Sequence, residues 1–203
     1  MSLDVAKVRA NLERVREQVG PAVEILAAIK YLAAEDLPAL AEAGVTLVGE
    51  NRAQELAAKQ EAHGELFDWD FIGALQSRKV KDVAPRVRLI HTVASDSALA
   101  KLEAHPVPEV LVQVNVAGEE GKGGIAPAEL GDFIARSPVA VSGLMTMPPL
   151  AEKAEDSRRH FARLAELAGE HGLPRLSMGS SQDYLVAAEE GATIVRLGSA
   201  LYS

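Results

Sequence analysis

Eight short runs rich in aliphatic and β-branched residues alternate along the chain with longer amphipathic runs, and few folds accept that rhythm. The short runs cover residues 24–29, 46–49, 70–73, 88–93, 110–115, 140–144, 175–178 and 193–197. The helical patterns between them cover 34–43, 51–62, 76–83, 97–104, 127–135, 155–170 and 182–190. Strand followed by helix, repeated, is the pattern of a parallel sheet with helical crossovers. Eight repeats predict an α/β fold, a (β/α)8 TIM-like barrel near the lower size limit of about 200 residues; the alternative is an open doubly wound sheet. A further helix, 4–19, precedes the first strand, with Asp4 as its cap and Gly20-Pro21 as its stop. Only six residues follow the last strand, too few for an eighth crossover helix, so the N-terminal helix is expected to cover that side. No linker interrupts the pattern, which predicts a single domain over residues 1–203.

Composition narrows the functional classes. With 48% hydrophobic residues the chain can bury a substantial core. A net charge of -8 disfavours non-specific binding to nucleic acid or anionic membrane, both of which use a basic face, so neither is expected as a partner. The absence of cysteine excludes disulfides, thiolate catalysis and Cys-ligated metals, and fits a reducing compartment. Residues 1–20 carry charges throughout instead of a signal peptide's apolar core. No stretch approaches the roughly 18 apolar residues of a membrane helix, and the expectation is a soluble cytoplasmic protein. The five histidines form no ligand pair, so no metal site is expected. Segment 118–124 has the wrong glycine spacing for a nucleotide loop and reads as a flexible connection.

In such a barrel the reactive face lies at the C-terminal ends of the strands, so the residues that end each apolar run are the candidates. They are Lys30, Glu50 with Asn51, segment 73–76, His91 with Thr92, Asn115, segment 145–147, segment 177–181, and Gly198 with Ser199. Lys30 is the evident nucleophile. An amine in partly apolar surroundings is favoured as the free base able to attack an aldehyde, although an isolated strand-end lysine also reaches solvent by snorkelling. The seventh run ends in S-M-G-S-S (177–181), with hydroxyls, a glycine and a helix start. The eighth continues as R-L-G-S-A-L-Y (196–202), with a cation, a glycine and another hydroxyl. Barrels hold phosphate at this place, though each segment alone also reads as a tight turn. Beside the lysine, the two together point to a phosphorylated aldehyde.

The stretches A-A-I-K (27–30), G-E-N-R-A-Q-E (49–55), F-I-G-A-L-Q (71–76), Q-V-N-V (113–116), G-L-M-T-M-P-P (143–149), L-S-M-G (176–179) and G-A-T-I-V-R-L-G-S-A-L-Y (191–202) resemble, in order and over nearly the whole chain, the pyridoxal phosphate homeostasis protein family. These are small barrels related to the N-terminal domain of alanine racemase. The resemblance implies pyridoxal 5'-phosphate (PLP) as cofactor and Lys30 as the lysine that holds it as an aldimine. It further implies Asn51 lining the cofactor, Ser177, Gly179, Ser180, Gly198 and Ser199 around the phosphate, and Arg196 facing the pyridine nitrogen. A guanidinium there opposes protonation of the ring and weakens PLP as an electron sink. The implied role is intracellular PLP homeostasis and amino-acid balance without enzymatic turnover, carried out by a monomer with PLP-dependent apo-enzymes as recipients.

Two alternatives use the same lysine. A PLP-dependent amino-acid racemase of this fold adds a second domain that supplies an opposite-face base, and 203 residues leave no room for it. A Schiff-base aldolase would use Lys30 directly on a sugar phosphate. The chain departs from the family at Ile29, usually serine, at Asp70, commonly histidine, at Arg78, commonly asparagine, and at Ser180, commonly methionine; it also ends at Ser203.

Overall fold

The alternation of short apolar and longer amphipathic runs resolves into eight parallel strands that close on themselves in chain order, β1 beside β2 and so on to β8 beside β1. The structure, a computed structural model, describes residues 3–203. The strands are β1 (Glu24–Ala28), β2 (Leu47–Glu50), β3 (Asp68–Phe71), β4 (Leu89–Val93), β5 (Glu109–Gln113), β6 (Ala140–Met145), β7 (Arg175–Ser177) and β8 (Ile194–Leu197). The barrel replaces the alternative of an open sheet because β1 pairs with β8 as well as with β2. The third strand lies two residues earlier than expected, since Asp68 and Trp69 pair with Leu47 and Val48.

Helices α1 (Val5–Val19), α2 (Leu37–Glu42), α3 (Ala53–His63), α4 (Val80–Val83), α5 (Asp96–Ala104), α6 (Leu130–Ala135), α7 (Arg158–Glu170), α8 (Tyr184–Glu189) and α9 (Ser199–Tyr202) surround the sheet. Helix α1 begins as expected, with the Asp4 carboxylate accepting from the Lys7 N–H, and stops at Gly20, whose φ of 83° only glycine adopts freely. It occupies the place left by the missing eighth crossover. Asn11 donates to the Leu201 carbonyl of α9 at 3.1 Å, Tyr184 of α8 donates to Gln18 at 2.6 Å, and Arg9 donates to the Glu42 carbonyl beside α2 at 2.6 Å. The one-turn helix α9 uses the few residues after β8 and was not expected from the sequence.

Parallel strands covered by helices are buried on both faces, and β4 is buried at every position. Two separate apolar clusters result. One fills the barrel, with Leu26, Leu47, Leu89, Leu111, Met145 and Ile194. The other lies between sheet and helices and includes Val48, Ile90, Val112, Leu144, Phe133 and Phe161. Each fully buried side chain of this size stabilises the fold by about 1.5–3 kcal/mol. Among the described residues no helix is long and apolar enough to cross a membrane, and no cluster of three metal-ligating side chains occurs.

Candidate functional site

Strand β1 ends at Ala28, one residue before the expected end, and Ile29 to Leu32 form a turn closed by the Leu32 N–H on the Ile29 carbonyl at 3.0 Å. Lys30 therefore sits on the turn and is exposed, with its ammonium 4.9 Å from the ring centre of Tyr31, itself 86% exposed. The apolar surroundings expected for this amine are corrected: once the chain leaves the sheet, neither cluster reaches the side chain. The backbone beneath it is held tightly instead. The Ile29 carbonyl also accepts from Lys59 Nζ at 2.9 Å, and Lys59 pairs with Glu50 at 2.6 Å, both side chains buried. The other Glu50 oxygen accepts from the Asn51 N–H at 2.6 Å. Ala28 pairs with Gly49, and Lys30 and Asn51 each follow the end of their strand, β1 and β2. The Asn51 side-chain oxygen is buried and has no partner among the described residues. Gly73 makes room for this bend, because a Cβ there would lie 2.0 Å from the Asn51 carbonyl oxygen.

The adjoining part of the mouth, on the other flank of β1, is built from β7 and β8. Gly179 turns the chain at φ 90°, where a Cβ would meet that of Ala187 in α8 at 2.6 Å. The Ser180 N–H and hydroxyl both donate to one Asp183 oxygen, at 2.7 and 2.9 Å. Its hydroxyl thus faces a carboxylate, which is a poor neighbour for an anion. Ser181 is different: its Oγ accepts from the N–H groups of Gly198 and Ala200, both at 3.1 Å. That pair of backbone donors at the turn into α9 is the geometry of an oxyanion seat. The sequence reading missed Ser181 and Ala200, although Ser181 lay inside the motif that suggested a phosphate. Gly198 stands at the seat itself and Ser199 follows it, exposed.

Ser177 is also corrected. Its expected place was the phosphate cup, but it faces the barrel interior and is closed from solvent. Arg196 Nη1 donates to its Oγ at 2.6 Å, and Arg196 Nη2 donates to the Thr146 carbonyl at 2.9 Å. Ser177 in turn lies 2.8 Å from His91 Nδ1, and His91 Nε2 lies 3.1 Å from Asp70 Oδ2. Asp70 accepts two bonds from Arg88, each 3.0 Å, and Arg88 continues to Glu24 at 2.7 Å. Serine, histidine and aspartate in sequence match the composition of a hydrolase triad. Here the hydroxyl is buried and already accepts from a guanidinium, so it cannot meet a substrate.

Donor chemistry assigns every proton in this chain. Arg196 can only donate, so the Ser177 hydrogen goes to His91 Nδ1, and the imidazole carries its own hydrogen on Nε2, toward an acceptor-only carboxylate. Burial pushes the His91 imidazole down, more strongly than the Asp70 contact raises it, and so favours the neutral ring this pattern requires. Burial alone would raise the Asp70 carboxyl, but its bonds from His91 and Arg88 outweigh that and hold it below the ordinary range. Burial also pushes Arg196 down to about 10, against the opposing charge of Asp183, which leaves it a cation at neutral pH.

A cavity of about 540 Å³ opens between the loop after β6 and the ends of β7 and β8, with Met147, Pro148, Gly179, Ser180, Asp183 and Arg196 among its walls. This is within the roughly 300–1,000 Å³ of small-molecule sites. Lys30 is not one of the walls. The structure thus groups Gly179, Ser180 and Arg196 at the cavity, leaves Lys30 and Asn51 just beyond the ends of the neighbouring strands β1 and β2, and withdraws Ser177 from both.

The alanine racemase N-terminal domain family matches residues 3–203. The chain is 39% identical over 217 residues to a pyridoxal phosphate homeostasis protein of Aquifex aeolicus, a match covering 98% of this chain and 95% of that protein. It is 34% identical to one of Vibrio cholerae, over 98% of this chain and 94% of that protein. The solved structure of PipY from Synechococcus elongatus with PLP bound is similar with a TM-score of 0.85 at 31% identity, over 97% of this chain and 100% of that one. Alanine racemase of Corynebacterium glutamicum shares the fold alone, with a TM-score of 0.76 at 17% identity over 99% of this chain and 62% of that one.

Proposed function

The chain belongs to the pyridoxal phosphate homeostasis protein family, built on the alanine racemase N-terminal domain, and on that premise we propose that it binds PLP reversibly at the C-terminal mouth of its barrel. Its role on this reading is PLP homeostasis and amino-acid balance in the cytoplasm, as a monomer that hands the cofactor to PLP-dependent apo-enzymes. PLP supplies an electrophilic aldehyde carried on a pyridine ring with a phosphate. Lys30 provides the amine that takes the aldehyde, from an exposed turn that leaves its side chain free to reach. The Ser181 and Ser199 hydroxyls would seat the phosphate, the Gly198 and Ala200 N–H groups holding Ser181 Oγ so that its hydrogen is left to donate. Asn51 lines the wall beside Lys30, where its unpartnered oxygen fits a ligand donor.

The observation that carries this reading is the Ser181 hydroxyl held by two N–H groups from the turn that follows β8, the strand bearing Arg196. Arg196 has no acceptor atom, so it would meet the ring nitrogen only as a donor. With its own proton held at neutral pH, it disfavours a proton on that nitrogen, which disfavours carbanion chemistry. Binding and release, not turnover, follow from this arrangement.

The test is spectroscopic and chemical. Protein loaded with PLP is expected to absorb in the visible range, and borohydride is expected to fix one pyridoxyl group on Lys30. Lys30→Ala should lose that adduct yet keep measurable PLP affinity through the phosphate seat. An adduct on Lys122 instead would reject the role of Lys30. Sustained racemization or decarboxylation of amino acids at roughly 1–1,000 per second, lost in Lys30→Ala, would reject the carrier reading.

A further inference from the structure

We infer that His91 and Asp70 are positioning residues for Arg196: acting through Ser177, they hold the guanidinium in the single orientation that presents its remaining N–H groups to the mouth of the barrel. The inference rests on the reading of Arg196 as the partner of the cofactor's ring nitrogen, and extends it into the barrel interior.

Among the described residues Arg196 is anchored at two points, the Ser177 hydroxyl and the Thr146 carbonyl. The carbonyl is part of the backbone and accepts from any donor that approaches. A hydroxyl rotates, and it is a reliable acceptor toward Arg196 only if its own hydrogen is drawn elsewhere. His91 Nδ1, at 2.8 Å, draws it. That nitrogen is bare only while the ring's hydrogen stays on Nε2, and Asp70 keeps it there, being a carboxylate 3.1 Å away. Arg88 completes the arrangement by binding both Asp70 oxygens, so the carboxylate cannot swing off the histidine. Each member therefore dictates the proton position of the next, from the N-terminal end of the barrel, where Arg88 meets Glu24, to the C-terminal mouth. Burial of Asp70, His91 and Ser177 keeps water from offering a substitute partner.

Changing one link has a defined consequence at the far end. In His91→Phe the Ser177 hydroxyl loses its acceptor and is free to turn its hydrogen toward the Arg196 side, where it opposes the guanidinium. In His91→Gln the amide oxygen can accept from Ser177 while its NH2 donates to Asp70, preserving the direction of every bond. Ser177→Ala cuts the link with little change of volume and leaves the His91–Asp70 pair intact.

Nitrogen NMR supplies the test. In the ligand-free wild-type protein, the His91 imidazole is expected to show a protonated Nε2 and a bare Nδ1, and the Arg196 Nη signals are expected to be separately resolved, as for a guanidinium that does not rotate. The opposite tautomer, or averaged Arg196 signals, would overturn the inference without any variant. With PLP labelled with ¹⁵N in its ring, the wild-type and His91→Gln proteins are expected to give the same ring-nitrogen shift. His91→Phe and Ser177→Ala should move it toward the value of the PLP–lysine adduct in water, with PLP affinity weakened about tenfold, ~1.4 kcal/mol. A His91→Phe or Ser177→Ala protein that loses stability but keeps the wild-type ring-nitrogen shift would show a merely structural role and overturn the inference. Failure of the wild-type protein to take up PLP would instead remove the proposed function, leaving the ligand-free signals to judge the positioning by themselves.

Discussion

The two sides of the barrel mouth are held by different means. At β1 and β2 a buried ion pair, Glu50 with Lys59, sits in the layer between sheet and helices and grips main chain only: the Ile29 carbonyl and the Asn51 and Arg52 N–H groups. Lys30 itself is left free. At β7 and β8 the relay inside the barrel grips a side chain, Arg196, while two N–H groups beyond β8 grip the Ser181 hydroxyl. One side offers a mobile amine on a fixed platform, the other a fixed electrostatic seat. On the proposed function both are needed, because preorganised donors bind without ordering cost while a reversible covalent partner must be able to move.

The largest test of this contrast is at the platform. Lys59→Met leaves the Glu50 carboxylate buried without its cation, and loss of about 3–5 kcal/mol of stability is expected in urea unfolding. Glu50→Gln added to Lys59→Met should recover part of that loss, since a neutral amide oxygen still accepts from the Asn51 N–H. If Lys59→Met were neutral, the pair would not be the element that holds the β1–β2 ends. The next effect comes from the bend beside it. Gly73→Ala drives a methyl group into the Asn51 carbonyl, with an expected loss of about 1–3 kcal/mol and a displaced Asn51 N–H in amide NMR spectra.

The seat side responds to acid. His91 and Asp70 both bind protons less readily when folded than when unfolded. As the pH falls below 6.5, the ordinary value for histidine, the unfolded chain takes up a proton that the native chain refuses, so stability declines. The same holds for Asp70 below 3.8. Full stability is therefore expected above the histidine range, with a first decline below it and a second in the carboxylate range, measured by urea unfolding across that interval. His91→Gln should flatten the first decline; an unchanged profile in that variant would assign the acid sensitivity to other groups. The smallest expected effect is that of Lys30→Ala on stability, within about 0.5 kcal/mol for an exposed side chain. A larger loss would mean that the amine is part of the platform rather than carried by it.

Periodicity made most of the fold legible. Parallel strands alternate with helices in a way that leaves a strong mark on the sequence, and the N-terminal helix announced itself through Asp4 and Gly20. The early start of β3 at Asp68 was hidden because the apolar run reads on to Gly73, whereas the pairing of Asp68 and Trp69 with β2 that sets the register is a tertiary contact. Lys30 and Asn51 stand out by their places after apolar runs, and each follows the end of its strand in the structure. Ser181 was overlooked beside Ser180, since adjacent serines at a turn are equivalent in sequence and only the path of the chain shows which hydroxyl meets Gly198 and Ala200. Asp70 was visible merely as a departure from its relatives.

Local composition and spacing by themselves determined the eight-fold βα order, the cap and stop of the N-terminal helix, and the strand ends where polar residues follow apolar runs, because these depend on residues close together in the chain. Tertiary structure alone decided that Lys30 is exposed, that Ser177 turns inward, and that Asp70, His91, Ser177 and Arg196, contributed by four different strands, form one hydrogen-bonded chain. The physical reason is the closure of the barrel. Its shear and radius determine which inward side chains from distant strands share a level, and a hydrogen bond forms only when donor and acceptor come within about 3 Å.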